Sequence, residues 1–316
     1  MADHFTHLSV MAETAPREVV TDPDGIYVDA TFGRGGHSRR ILQRLSSRGR
    51  LIAFDRDPQA IESAAAIEDA RFRIVHAPFS HMREELLALG VERVQGIFMD
   101  IGVSSPQIDD PARGFSFRMD GPLDMRMDTT CGMTAADWVN SAAEGDLARV
   151  ISRLGEERFA RRIAHAIVRE RSREPILTTQ ALARLVASVV PINRKDPSQH
   201  PATRTFQAIR IHINSELDEL SRALEASMTL LNDGARLAVI TFHSLEDRIV
   251  KRFFEQAAHP ERELDSRLPL RVSELPAPGL VDVRRLLPDA AECEANPRAR
   301  SAILRVATRS RSEEAS

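Results

Sequence analysis

The fold is decided by one glycine-rich stretch: residues 26–38 read Ile-Tyr-Val-Asp-Ala-Thr-Phe-Gly-Arg-Gly-Gly-His-Ser. The apolar run at 26–28 predicts a buried strand, and a helical pattern over 38–45 follows the glycines. Glycine has no Cβ, so the backbone can turn sharply there and approach a ligand closely. The helix that follows begins with N–H groups free to bind something polar. The stretch therefore indicates a nucleotide-type site.

Strand and helix patterns alternate through the first third of the chain. Apolar runs at 51–54, 72–75 and 94–99 predict three more strands, and the intervening helices imply a parallel sheet with right-handed crossovers. Ligands of such sheets lie beyond the carboxyl ends of the strands. Four residues lie at or just past such an end, which predicts one shared site: Asp29, Asp55, Phe79 and Asp100.

The middle of the chain has a different character. Residues 108–200 show helical patterns, including a capping box from Thr134 to Asp137, and no strand alternation. We predict an inserted helical domain for substrate recognition over 108–200, between the two parts, 1–107 and 201–316, of an α/β domain.

The last third returns to the α/β pattern. Apolar positions from 206 to 224 predict one helix, ended by Asn232-Asp233-Gly234. Strands are predicted at 236–242, near 281–283 and at 301–307. A second capping box, Ser244 to Asp247, predicts the start of another helix.

Composition limits the classes of function. The chain has 316 residues, a net charge of −3, and two cysteines, Cys131 and Cys293, that form no paired motif. No apolar run is long enough to cross a bilayer and no signal peptide is visible, so we expect a cytoplasmic protein without a membrane partner. No His or Cys spacing typical of a metal site occurs, and we expect no metal.

The glycine stretch fits two kinds of cofactor. Gly33 and Gly35 match the first two glycines of the dinucleotide fingerprint, but Ser38 stands at the third position. Asp55, about twenty residues on, is placed to hold ribose hydroxyls. The pattern suits either a dinucleotide or an adenosine-type cofactor such as S-adenosylmethionine.

The segment after the fourth strand, 100–107, predicts a polar turn on the cofactor side of the sheet. Methylation of an amine needs acceptors for its two N–H bonds, so that the nitrogen lone pair points at the methyl group. Ser104, Ser105 and the carbonyl before Pro106 could supply them; an ordinary turn is an equally open reading. Cys131 lacks the Pro-Cys setting of enzymes that methylate pyrimidine carbon, which favours nitrogen as the acceptor.

Two further features have a structural and a functional interpretation. His243 follows a strand and could contact substrate or accept a proton, although a structural histidine is the commoner case. Arginines crowd residues 158–173, where a phosphate-binding face competes with a solvated helix face. Interleaved glutamates favour the solvated face.

Long motifs along nearly the whole chain resemble one family, the bacterial small-subunit rRNA cytosine-N4 methyltransferases (the RsmH or MraW family). The matching blocks are 28–38, 100–107, 113–117 with 121–128, 200–207 with 214–217, 241–248 and 296–301. One departure is visible: the aromatic residue that usually follows Ser-Pro in amino-methyltransferases is missing after Pro106.

The resemblance implies a class I S-adenosylmethionine-dependent fold, with a helical domain inserted after the fourth strand. It implies N4 methylation of a decoding-centre cytidine of 16S rRNA, within the small ribosomal subunit; a homodimer is left open. The implied cofactor contacts are Gly35, Gly36, His37, Asp55, Phe79, Asp100 and Gln107. The implied catalytic residues are Asp100, Ser104, Ser105 and Pro106. The implied substrate contacts are His243, Arg126 and Arg204.

Two rival hypotheses belong to other classes. An NAD-dependent oxidoreductase could use the same sheet, but Ser38 and the lack of a recognisable hydride-transfer site argue against it. A non-catalytic ribosome-assembly factor could keep the fold and bind S-adenosylmethionine. The intact set of Asp55, Asp100 and 104–107 argues against lost activity.

Overall fold

A computed structural model describes residues 9–191, 200–264 and 275–311. Its contacts divide the chain into two compact units. The sheet unit contains the residues up to Gly102 and from Leu217 onward, and the inserted unit is Val103–Glu216. The boundaries therefore differ from the predicted 108–200: the inserted unit begins five residues earlier and extends sixteen residues further. Its role in substrate recognition stays a prediction.

The sheet unit contains seven strands and seven α-helices among its described residues. The strands are β1 (Ile26–Asp29), β2 (Arg50–Asp55), β3 (Phe72–His76), β4 (Val94–Asp100), β5 (Leu231–Thr241), β6 (Leu280–Leu286) and β7 (Ile303–Arg309). The helices are α1 (Thr14–Val19), α2 (Gly36–Leu42), α3 (Pro58–Ala64), α4 (Met82–Ala88), α11 (Glu216–Leu230, which begins at the unit boundary), α12 (Ser244–Ala258) and, as the last short helix, α13 (Ala290–Ala295).

The strand order is β3-β2-β1-β4-β5-β7-β6. The first five strands in this order run parallel, and β7 runs antiparallel to both β5 and β6. This is the order and direction of the class I methyltransferase fold, which confirms the predicted fold class. At the outer edge, β6 contains one extra residue relative to β7, and Asp282 there has a φ of +51°.

Helices cover both faces of the sheet, which explains why its central strands are continuously apolar. Successive side chains point to opposite faces. Val28 and Ile97 belong to one buried cluster, whereas Tyr27 and Phe98 belong to the cluster on the other face. All four are at most 1% exposed.

The inserted unit is helical where the structure describes it. Its helices are α5 (Ser105–Asp109), α6 (Ala135–Ser141), α7 (Glu144–Gly155), α8 (Ala160–Arg171), α9 (Thr179–Val189) and α10 (Thr203–Ile213). They enclose a hydrophobic core of their own, which includes Trp138, Ile163 and Phe206. The capping box at Thr134 is confirmed: its hydroxyl accepts the N–H of Asp137, 3.1 Å away.

Several element predictions were wrong. The predicted helix over 206–224 is two helices, α10 and α11, because Ser215 takes a left-handed φ of +50° that breaks the run. Asn232-Asp233-Gly234 does not end a helix but lies inside β5. The polar turn at 101–107 contains the start of α5, for which Ser104 is the N-cap and Pro106 suits the first turn. The cap of α12 is His243, one residue before the predicted Ser244.

Candidate cofactor and methyl-transfer site

Three carboxylates meet at the carboxyl edge of the sheet. Asp29, Asp55 and Asp100 are the last residues of β1, β2 and β4, and these three strands are neighbours in the order β2-β1-β4. Phe79 follows β3 by three residues; it begins a single 3₁₀ turn and packs, half-buried, against the core. The structure therefore places the four predicted strand-end residues along one edge.

The glycine-rich turn crosses this edge and is held to both neighbouring strands. The N–H of Ala30 donates to the carbonyl of Phe98, and the N–H of Phe32 donates to that of Phe54, each at 2.8 Å. Gly33 and Gly35 then take left-handed φ values of +58° and +75°. A Cβ on Gly35 would lie 2.8 Å from the ring of Phe32, so this position requires glycine both for its φ and for space.

Asp55 anchors the turn. One carboxylate oxygen accepts the N–H of Gly33 at 2.7 Å, and the other accepts the N–H of Asp57 at 2.9 Å. Burial raises the pKa of Asp55 to about 6, although both hydrogen bonds favour the charged form. Each carboxylate oxygen keeps a second lone pair, so the side chain can still accept two hydroxyl donors.

Asp29 has a structural role that the sequence did not distinguish from ligand binding. It is fully buried, and its Oδ2 accepts the hydroxyl of Ser38 at 2.6 Å. Burial raises its pKa. Thr31, which sequence reasoning missed, accepts the backbone N–H of Asp100 on its hydroxyl at 2.6 Å. A hydroxyl two residues after a strand-end acid was the available signal for Thr31, since such side chains bind nearby backbone.

His37 and Asp100 leave polar atoms without partners at this edge. Nε2 of His37 lies 3.4 Å from Oδ2 of Asp100, and the imidazole lies 4.5 Å from the ring of Phe98. Both ring nitrogens of His37 and Oδ1 of Asp100 are buried and lack a hydrogen bond to the described residues. The buried hydroxyl of Ser80, beside Phe79, is in the same condition. Buried polar atoms are normally satisfied, so this edge has the chemistry of a site for a polar ligand.

The segment 104–107 forms the first turn of α5 within the inserted unit. The side chain of Gln107 is buried, and its Oε1 accepts the N–H of Ser104 at 2.9 Å. The carbonyl of Ser104 accepts the N–H of Ile108 at 3.3 Å. The hydroxyl of Ser105 has no hydrogen-bond partner among the residues described, which leaves it available to a ligand.

The predicted substrate contacts in the inserted unit are held by their own surroundings. Arg126 forms a two-point ion pair with Asp124, with both N–O distances at 2.8 Å. Its remaining nitrogen donates to the carbonyls of Cys131 and Gly132. Arg204, exposed on α10, donates to the carbonyl of Glu156 at the end of α7. Both therefore have structural partners, and substrate contact by either stays a prediction.

His243 is the N-cap of α12, at the carboxyl end of β5. Its Nε2 lies 2.8 Å from Oε1 of Glu246, and its Nδ1 faces the Glu246 N–H at 3.5 Å. Glu246 is fully buried, and its other oxygen accepts the N–H of Phe242 at 2.9 Å. Both ring nitrogens thus face Glu246, and contact of His243 with the substrate stays a prediction.

Comparison with known proteins agrees with this geometry. The family model described as MraW methylase family matches residues 4–310. The chain belongs to this family. Ribosomal RNA small subunit methyltransferase H of Burkholderia cenocepacia (strain HI2424) is 56% identical over 313 residues, which are 98% of this chain and 99% of that protein. The protein of the same name from Burkholderia pseudomallei (strain 1106a) has the same identity and coverage.

Among solved structures, one similar fold is the putative rRNA-methylase from Clostridium thermocellum, with 12% identity, 95% coverage of both chains and a TM-score of 0.43. Membership in a methylase family, on a class I sheet, makes S-adenosylmethionine the cofactor. The unpartnered atoms of His37 and Asp100, the carboxylate of Asp55 and the open glycine turn fit its amine, hydroxyl and carboxylate groups.

In the described parts of the chain, no three His, Cys, Asp or Glu side chains are grouped so that they could hold a metal ion. Within the same ranges, no helix has the length and apolar character needed to span a membrane.

Proposed function

We propose that this protein transfers the methyl group of S-adenosylmethionine to N4 of a cytidine in the decoding centre of 16S rRNA, cytidine 1402 in standard rRNA numbering. The substrate is the RNA within the small ribosomal subunit, in the cytoplasm. The observation that carries the proposal is the 56% identity, along 98% of the chain, to proteins named ribosomal RNA small subunit methyltransferase H. The polar edge of the sheet supports it.

The sheet unit supplies most of the proposed cofactor contacts. Asp55 accepts the ribose hydroxyls, as its two spare lone pairs allow. Gly35 and Gly36 contact the cofactor through their backbone, and His37 and Asp100 pair their unpartnered atoms with its polar groups. Phe79 and Gln107 are the remaining proposed cofactor contacts. When bound, the cofactor supplies an electrophilic methyl group on a sulfonium.

The chain activates the cytidine by accepting its N–H bonds. Acceptors on both hydrogens of the amine draw the nitrogen lone pair out of conjugation with the ring and aim it at the methyl carbon. We assign this role to Asp100 and to the segment Ser104, Ser105 and Pro106, in which the Ser105 hydroxyl is unengaged. After in-line transfer the proton leaves to solvent or to a weak base.

Tritiated methyl transfer tests the proposal. Small subunits from a strain that lacks the protein are incubated with labelled S-adenosylmethionine, and the rRNA is digested to nucleosides. Label in N4-methylcytidine is expected. Label in another nucleoside, or only in naked rRNA, contradicts the proposed substrate. No label on any RNA, with cofactor still bound, favours an assembly factor instead.

A further inference from the structure

One face of α8 forms a cationic groove. A concave region of about 310 Å³ is lined by Arg161, Arg162, His165, Ala166, Arg169 and Val189. The first five lie on α8 and the last on α9, so the groove lies wholly within the inserted unit. Its arginines and its histidine are exposed, whereas Ala166 is buried at its floor.

The structure separates these cations from the other charges of the segment. Arg171 points away and donates to the carbonyl of Val139 at 2.7 Å, which is a structural contact. Glu157 is buried and accepts the backbone N–H of Phe159. The glutamates that favoured a solvated face in the sequence do not line the groove.

The guanidinium groups of the groove are not neutralised by the protein. Among the described residues, no carboxylate lies within ion-pair distance of Arg161, Arg162 or Arg169. Arg162 lies over the ring of Phe159 at 5.6 Å, a contact that holds the side chain and keeps its charge. Glu144 approaches the lining and lies 3.5 Å from His165.

The spacing of these cations suits a chain of phosphates. Arg161 and Arg169 are eight residues apart on the helix, which places them about 12 Å apart along its axis, with His165 midway between them. That interval is close to twice the separation of neighbouring phosphates on a nucleotide strand. Arginine binds phosphate through a planar pair of donors, and an unneutralised row of such groups is typical of backbone contacts.

We propose that the α8 groove binds the phosphate backbone of the substrate RNA, independently of its sequence. The inference rests on the proposed function, because it takes RNA as the substrate. It assigns RNA binding to residues other than those proposed for methyl transfer. Such contacts release counterions, so they weaken steeply as salt rises.

The test is the double variant Arg161→Ala/Arg169→Ala, in the full chain, with a fluorescein-labelled RNA fragment of the decoding centre. We expect its affinity for the RNA to fall roughly tenfold near physiological salt. The slope of log affinity against log salt should become shallower by about 2, one per lost phosphate contact. Affinity for S-adenosylmethionine, measured by calorimetry, should not change and shows that the variant is folded.

The matched control is Arg153→Ala/Arg184→Ala, which removes two exposed arginines of the same unit that do not line the groove. Equal RNA affinity and salt slope in the two double variants would overturn the proposal. So would polyglutamate competing as well as RNA of equal charge, since the groove would then serve an acidic protein. If RNA binding depends on the groove but no methyl group is transferred to cytidine N4, the groove proposal holds and the proposed function is contradicted.

Discussion

Two polar regions of the molecule use their side chains in opposite ways. At the carboxyl edge of the sheet, His37 and Asp100 keep three buried atoms without a hydrogen bond to the described residues. In the loop 113–128 of the inserted unit, Arg113 and Arg126 bind mainly groups of the loop itself and of the residues that follow it. Arg113 donates to the carbonyls of Arg126 and Met127 at 3.0 and 2.9 Å, and Arg126 is paired with Asp124.

The difference separates a binding site from a structural one. A buried polar atom without a partner costs roughly 1 to 3 kcal/mol, so the sheet edge is stabilised when a polar ligand supplies the missing partners. In the loop, the charges of Arg113 and Arg126 mainly hold the shape of the loop. The following changes should therefore affect ligand binding and chemistry at the edge, and mainly stability in the loop.

The largest effect is expected from Asp100→Ala. This change removes a proposed acceptor of the reacting amine, and turnover should fall on the order of 100-fold, more than cofactor affinity falls. Single-turnover methyl transfer with saturating cofactor measures it. Asp218→Ala, an exposed acid of the same unit, is the control. Equal losses in turnover and in cofactor affinity would assign Asp100 to binding alone.

Asp55→Ala comes next. Cofactor affinity should fall roughly 30-fold, because a charged acceptor of ribose hydroxyls is lost and the N–H of Gly33 loses its partner. Isothermal titration with S-adenosylmethionine measures the change. Asp69→Ala, which removes a carboxylate paired with Arg71 before β3 begins, should leave affinity unaltered. Unchanged affinity in Asp55→Ala would refute the ribose assignment.

The raised pKa of Asp55 predicts a pH dependence of cofactor binding. Ribose hydroxyls donate to the ionised carboxylate, which exists above a pKa of about 6 and is lost as pH falls through it. Affinity should therefore be constant above pH 7 and fall about tenfold per pH unit well below 6. Titrations from pH 5 to 8 on the wild type and on Asp55→Asn test this. A pH slope that persists in Asp55→Asn would point to another group.

Gly35→Ala should weaken cofactor binding by about tenfold. It adds a Cβ 2.8 Å from the Phe32 ring at a φ of +75°, a strain of roughly 1 to 3 kcal/mol in the turn. Gly90→Ala is a matched control: φ is +73° there and the added Cβ would have no heavy atom within 4 Å. It should lower the free energy of unfolding by about 1 kcal/mol and spare cofactor affinity. Similar losses of cofactor affinity in both variants would show that the effect of Gly35→Ala is not specific to the glycine-rich turn.

The smallest effect on binding is expected from Arg126→Ala. It breaks the ion pair with Asp124, so the free energy of unfolding should fall by about 1 to 2 kcal/mol, measured by urea denaturation. Affinity for RNA and for cofactor should stay within about twofold of the wild type. A clear loss of RNA affinity without loss of stability would support the sequence-based prediction that Arg126 contacts the substrate.

The sequence predicted the features that depend on local chemistry. The glycine turn, the strand-end acids and the cap at Thr134 each follow from a residue type at a fixed position, and the structure has all of them. The class I fold followed from the resemblance, and the strand order was not predicted, because periodicity alone does not rank topologies.

What the sequence could not predict depends on distant partners. The helix break at Ser215 is held by Asn214, whose side chain bonds the backbone of Met125 and Met127, almost ninety residues earlier. No local sequence pattern indicates such a long-range hydrogen bond. Likewise, Asp29 and Asp55 look alike in sequence, and only the burial of Asp29 against Ser38 separates the structural acid from the proposed ligand.

The bulge in β6 affects whether another chain can add to the edge of the sheet at high protein concentration. An outermost strand with free N–H and C=O groups is a template onto which another chain can add. The extra residue at Asp282 interrupts that template, and the neighbouring Arg284 and Arg285 surround the exposed Val281 and Val283 with charge. If β6 had no bulge, its exposed valines would favour the stacking of sheets into aggregates. The irregular strand is therefore a poor template for the addition of a second chain.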